Sequence, residues 1–97
     1  MRISTVQHQF ISNYWENELP KTKVYLFGSR IDDTLKGGDI DIALLGNTQP
    51  TRLQRANFKF GFDAQFGEQK VDLIHINPSK PTAFATYILQ TAILLNE

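Results

Sequence analysis

A chain of 97 residues, 41% hydrophobic and 21% charged, folds as one domain with a modest core rather than staying disordered. Its 10 basic and 10 acidic side chains cancel to a formal net charge of zero, which argues against a broad basic surface gripping nucleic acid, and Arg and Lys form no stripe. With no cysteine, a disulfide framework and a thiolate zinc site are excluded, and no apolar run is long enough to span a membrane.

The opening MRISTVQHQF lacks the apolar run of a secretory signal, so a cytoplasmic setting is expected. Residues 3–19 read as a helix: Val6, Phe10 and Tyr14 recur every four positions, and Ile3, Ile11 and Trp15 widen the stripe. Pro20 stops it. Lys23–Phe27 (KVYLF) is a β-type run, and Gly28 and Ser29 follow at once, where a strand can turn into a short helix. Gly37-Gly38 signals a turn, and Asp39–Leu45 (DIDIALL) alternates as a strand ending at Gly46.

Residues 50–67 read as a second long helix with Pro50 early in it. Leu53, Ala56, Phe60 and Ala64 make one stripe, and Phe58, Phe62 and Phe66 another. These rings are expected in the core and at subunit contacts rather than against bases. Val71–Ile76 (VDLIHI) is a third strand, broken by Asn77-Pro78. Pro81 opens a last helix through Leu95, with Phe84, Ile88 and Leu95 on one apolar face and Ala85, Leu89 and Ile93 on an offset one. One face suits the core and the other a second subunit. The whole, 1–97, is a single α/β (α+β) domain: a small mixed sheet flanked by helices.

Asp39 and Asp41 raise the functional question. Strand side chains alternate, so the two point to one face with Cα atoms about 7 Å apart, while Ile40, Ile42 and Leu44 take the other. Paired carboxylates repel, and each loses hydration when partly buried. A divalent cation between them offsets both costs, and magnesium suits carboxylate oxygens and phosphates. Asp72 joins them if the third strand lies beside the second. Three carboxylates can serve two metals and an in-line displacement at phosphorus. In the plainer reading Asp39 caps the turn after Gly38 and Asp72 sits at an exposed strand start. The three carboxylates together with the Gly-Ser element weigh against it.

Gly28 permits close backbone approach, Ser29 adds a hydroxyl at a helix start, and Arg30 supplies a cation for phosphate oxygens. The GxxxxGK run of a P-loop is absent. Asp32 and Asp33 read as structural, favouring a helix first turn or facing solvent. Lys36 beside Gly37-Gly38 is more simply a solvated turn lysine than a second phosphate contact. His75 lies on the strand face opposite Asp72, in a packing or capping role, and His8 is ordinary helix surface. The two make no zinc site and no Ser-His-Asp triad.

Gly28-Ser29, nine intervening residues, then Asp39-x-Asp41, with Asp72 in a later hydrophobic strand, resembles the signature of the polymerase-beta-type nucleotidyltransferases. Length and ending resemble the minimal nucleotidyltransferase (MNT) branch, whose members often accompany a helical HEPN toxin. The resemblance implies a small mixed sheet flanked by helices, ATP as substrate and two Mg2+ ions. It makes Asp39 and Asp41 the metal-binding pair and Asp72 the completion of the second metal site, helping to activate the acceptor hydroxyl. Gly28 and Ser29 would hold the β- and γ-phosphates, with Arg30 near the leaving side. It further implies an antitoxin that moves AMP to a hydroxyl, a tyrosine, of its HEPN-type partner, in a homodimer or hetero-oligomer. Ile31-Asp32-Asp33 stands where many such antitoxins carry a small residue and then Arg-Gly. Two other functions fit the residues: a non-catalytic antitoxin that only binds its partner, and transfer to a small molecule. Direct contact with nucleic acid or a membrane is not expected.

Overall fold

The computed structural model describes residues 2–32, 34 and 38–96. In chain order these form α1 (Thr5–Glu18), β1 (Lys23–Phe27), a 3-10 turn (Gly28–Ile31), β2 (Ile40–Leu45), α2 (Arg52–Phe66), β3 (Val71–Ile76), α3 (Ala83–Thr91) and β4 (Ile93–Leu94). The sheet runs β3-β2-β1-β4. β1 is antiparallel to both β2 and β4, and β2 is parallel to β3. The fold is thus a mixed α/β one, a small sheet flanked by helices.

Reciprocal capping boxes start the two long helices. Ser4 Oγ accepts from Gln7 N (3.0 Å) while Gln7 Oε1 accepts from Ser4 N (2.9 Å), and Thr51 and Gln54 repeat the pattern. Both helices cover one face of the sheet. Ile11 and Trp15 from α1, Leu19 just after it, and Phe58 and Phe62 from α2 close over Val24, Leu26, Ile40, Ile42 and Leu44. On the other face α3 lays Ala85 against Ala43 and Ile76.

The apolar stripes of the two long helices sort into core and surface. Of the two stripes on α2, the phenylalanine one is the core face: Phe58 and Phe62 are buried, whereas Leu53 (69% exposed) and Phe60 (77%) face outward. The rings win because α1 offers rings to meet them. Phe10 lies 5.8 Å from Phe58 and 5.9 Å from Phe62 between centroids, and Trp15 lies 5.3 Å from Phe58. The α1 stripe is likewise centred on Ile11 and Trp15, leaving Val6 exposed.

The last helix stops at Thr91, well short of Leu95, and Ala92 is extended (φ −65°, ψ 149°). Ile93 and Leu94 then pair with Leu26 and Tyr25, covering an edge of β1 that would otherwise be open. Leu95 drops into the main core, its N–H donating to Val24 O (2.7 Å) and its carbonyl accepting from Ser12 Oγ (2.8 Å) and His8 Nε2 (2.7 Å). The two apolar faces expected on this helix therefore reduce to one buried face, Ala85 and Ile88, with Phe84 and Tyr87 exposed.

Candidate active site

Alternation along β2 sends Ile40, Ile42 and Leu44 into the main core, so Asp41 takes the opposite face, shared with α3. In the parallel β2–β3 register Asp41 stands opposite Asp72. Both are half-buried. Asp39 lies just ahead of β2, on the same side by alternation, and its Oδ2 is 3.5 Å from Lys70 Nζ. Burial raises the Asp41 pKa above the usual carboxylate value, and the negative charges of Asp72 and Asp39 and hydrogen bonding with Asp72 push the same way. The Lys70 ammonium pulls against them.

The 3-10 turn hangs directly over this carboxylate. Gly28 has φ +75°, and a β-carbon there would collide with Asp41 Oδ2. Gly38 has φ +88°, and a β-carbon there would collide with Ser29 Oγ. Glycine is thus required twice for the turn to seat against the carboxylate strand. The structure brings Gly28, Ser29, Asp39, Asp41 and Asp72 to one end of the sheet.

Arg30 is engaged differently from the phosphate-facing cation expected. Its Nη1 donates to Arg2 O (2.8 Å) and its Nη2 to Gly38 O (3.0 Å). Arg2 answers from the other side, donating through Nη2 to Ser29 O (2.8 Å) and through Nε to Asp32 O (2.8 Å). The two arginines clasp the turn from both sides. Asp32 is structural as expected: its carboxylate accepts from Thr34 N (2.9 Å) and Thr34 Oγ1 (2.6 Å), which lowers its pKa. His75 Nε2 donates to Gly46 O (2.7 Å), a capping role away from the carboxylates. Asp33, Lys36 and Gly37 lie outside the described residues.

Two contributors escaped sequence reasoning. Lys70 carried a signal, standing two residues before Asp72 at the head of β3. Arg2 carried none, because the backbone carbonyls its guanidinium binds among the described residues, those of Ser29 and Asp32, are 27 and 30 positions away.

The donors at this end are carboxylate oxygens, a set that suits magnesium. Crowded, half-buried like charges are the condition a divalent cation relieves. Among the described residues the side chains do not already converge on a metal-holding group of three. Asp41 and Asp72 face each other, while Asp39 also meets Lys70.

The family described as Polymerase beta, Nucleotidyltransferase matches residues 9–97, and the chain belongs to that family. Solved structures share the fold. A chain in the structure of a tri-AMPylated Shewanella oneidensis HEPN toxin in complex with MNT antitoxin is 22% identical, with 96% of this chain and 71% of that one covered and a TM-score of 0.66. A chain from a toxin–antitoxin structure with AMP-PNP is 24% identical over 91% of this chain and 71% of its own, at a TM-score of 0.68. One from the toxin–antitoxin MntA-HepT is 22% identical over 95% and 71%, at 0.65. No curated protein matches the chain in sequence. Among the described residues no helix is long and apolar enough to cross a membrane.

Proposed function

We propose that this chain is an MNT-type antitoxin that transfers AMP from ATP to a hydroxyl, a tyrosine, of a HEPN-type toxin in the cytoplasm. One observation carries the reading: Asp41 faces Asp72 across parallel strands, directly beneath a turn whose Gly28 has a positive φ and lies so close that a β-carbon there would meet the Asp41 carboxylate. The solved structures of similar fold, in which an MNT antitoxin accompanies an AMPylated HEPN toxin and a toxin–antitoxin pair is bound to AMP-PNP, support the choice of partner and nucleotide.

Asp39, Asp41 and Asp72 would hold magnesium, which when bound neutralises the triphosphate and lowers the pKa of the acceptor hydroxyl. The backbone of Gly28 and the N–H and hydroxyl of Ser29 would hold the β- and γ-phosphates, as the unbonded first N–H groups of a helical turn do. Arg2 and Arg30 position that turn. The acceptor oxygen then attacks the α-phosphorus in line, the bond to the bridging β-phosphate oxygen breaks, and pyrophosphate leaves. Asp72, on the edge strand β3, would take up the acceptor's proton. Pyrophosphate release from ATP in the presence of purified toxin and Mg2+ tests the reading. It should be lost in Asp39→Asn/Asp41→Asn, and undiminished release from that variant would remove these carboxylates from the chemistry.

A second reading rests on the exposed apolar residues Leu53 and Phe60 of α2, which suit a purely binding antitoxin. Toxin neutralisation that survives Asp39→Asn/Asp41→Asn would favour it.

A further inference from the structure

Beside the Gly28–Ser29 turn a groove of about 570 Å³ runs to α3, with Phe27, Gly28, Ser29, Asp32, Phe84 and Tyr87 among its lining residues. We propose that this groove receives the nucleoside end of the triphosphate, with Phe84 and Tyr87 as its stacking surface. The proposal rests on the triphosphate reading above and adds where the base goes.

Three observations point to it. First, the groove shares Gly28 and Ser29 with the turn assigned to the phosphates, so a ligand held there continues into it without a gap. Its volume falls within the range of small-molecule sites, roughly 300 to 1,000 Å³. Second, Phe84 and Tyr87 are 63% and 71% exposed, although α3 has already buried Ala85 and Ile88 against the sheet. They stand three positions apart on one helical face, so both rings border the same groove. Aromatic faces in that position stack on any base. Third, Asp41 lies on the sheet face that α3 shares. The hollow near Asp72 that Arg52, Arg55 and Lys59 line opens on the opposite face, beside Phe58, Val71 and Leu73 of the main core, and Arg55 and Lys59 are already engaged with Leu73 O (2.8 Å) and Asp63 (2.8 Å). A nucleotide with its phosphates at Ser29 and its α-phosphorus near Asp41 therefore places its base toward α3.

The test is binding of ATP and of inorganic tripolyphosphate to the full chain in Mg2+, compared among wild type, Tyr87→Phe and Phe84→Ala/Tyr87→Ala. Both positions are exposed, so the fold should survive, and a melting curve checks this. The double alanine variant should weaken ATP about tenfold or more and leave tripolyphosphate unchanged, while Tyr87→Phe behaves as wild type. Unchanged ATP affinity in the double variant overturns the proposal while leaving the phosphate site intact; if toxin binding falls instead, the groove docks protein. Equal weakening of both ligands also overturns it, because the rings would then act on the phosphate turn. If neither ligand binds the wild type, the triphosphate reading itself fails and the groove assignment with it.

Discussion

Asp41 and Asp72 stand opposite each other on parallel strands, and Gly28 from the neighbouring strand end closes over Asp41 so tightly that a β-carbon would strike its carboxylate. The site is assembled at the cost of crowding like charges, and that cost is measurable. Asp41 has a raised pKa in the folded chain. Its protonated form favours folding, so its contribution is fully present below the ordinary carboxylate pKa and is lost as pH rises through the raised value. At neutral pH, in EDTA, Asp41→Asn should therefore melt higher than wild type. Each kcal/mol relieved is worth roughly 4 to 8 °C in a domain of this size. The gap should shrink below pH 4 or so. A lower melting temperature at pH 7 would mean that the carboxylate stabilises the fold.

Magnesium should reverse that relation. A cation bound by the folded chain alone stabilises it by about 2.7 kcal/mol at one hundred times its dissociation constant. Thermal melts across a Mg2+ titration should rise for wild type and stay flat for Asp41→Asn. Equal rises in both proteins would place the ion elsewhere.

Gly28→Ala and Gly67→Ala separate backbone strain from site collision. Both glycines have positive φ, but no atom lies within 4 Å of a β-carbon at Gly67. Gly67→Ala should pay only the backbone cost, ~1–3 kcal/mol. Gly28→Ala should cost more, because Asp41 must move, and should abolish ATP binding. Denaturant melts and ATP titrations read both effects, and an ATP-competent Gly28→Ala would show that the turn can shift without harm.

The two stripes of α2 make a paired test of the core. Phe62→Ala should cost about 3–5 kcal/mol, since Phe62 is fully buried. Phe60→Ala, at an exposed position, should stay within about 0.5 kcal/mol of wild type. Urea unfolding measures both. A large loss from Phe60→Ala in the isolated chain would mean that this face is covered, for instance by a second copy.

Much of this architecture was legible in the residues. Lys23–Phe27 and Val71–Ile76 are strands as read, and alternation in DIDIALL sets Asp41 apart from the core residues around it. What escaped was decided by distant partners. Ala92–Leu95 continues the apolar pattern of α3, and only the open edge of β1 turns Ile93 and Leu94 into a strand. Periodicity alone could not choose between the stripes of α2; the rings of α1 did. The clasp of Arg30 on Arg2 and Gly38 likewise joins chain positions that carry no local signal.

The most direct measurement is the intact mass of the HEPN-type partner after incubation with this chain, ATP and Mg2+. A gain of one or more AMP units is expected, absent without metal and absent with Asp39→Asn/Asp41→Asn. An unchanged mass, with the toxin still neutralised by both wild type and variant, would show that this chain silences its partner by binding alone.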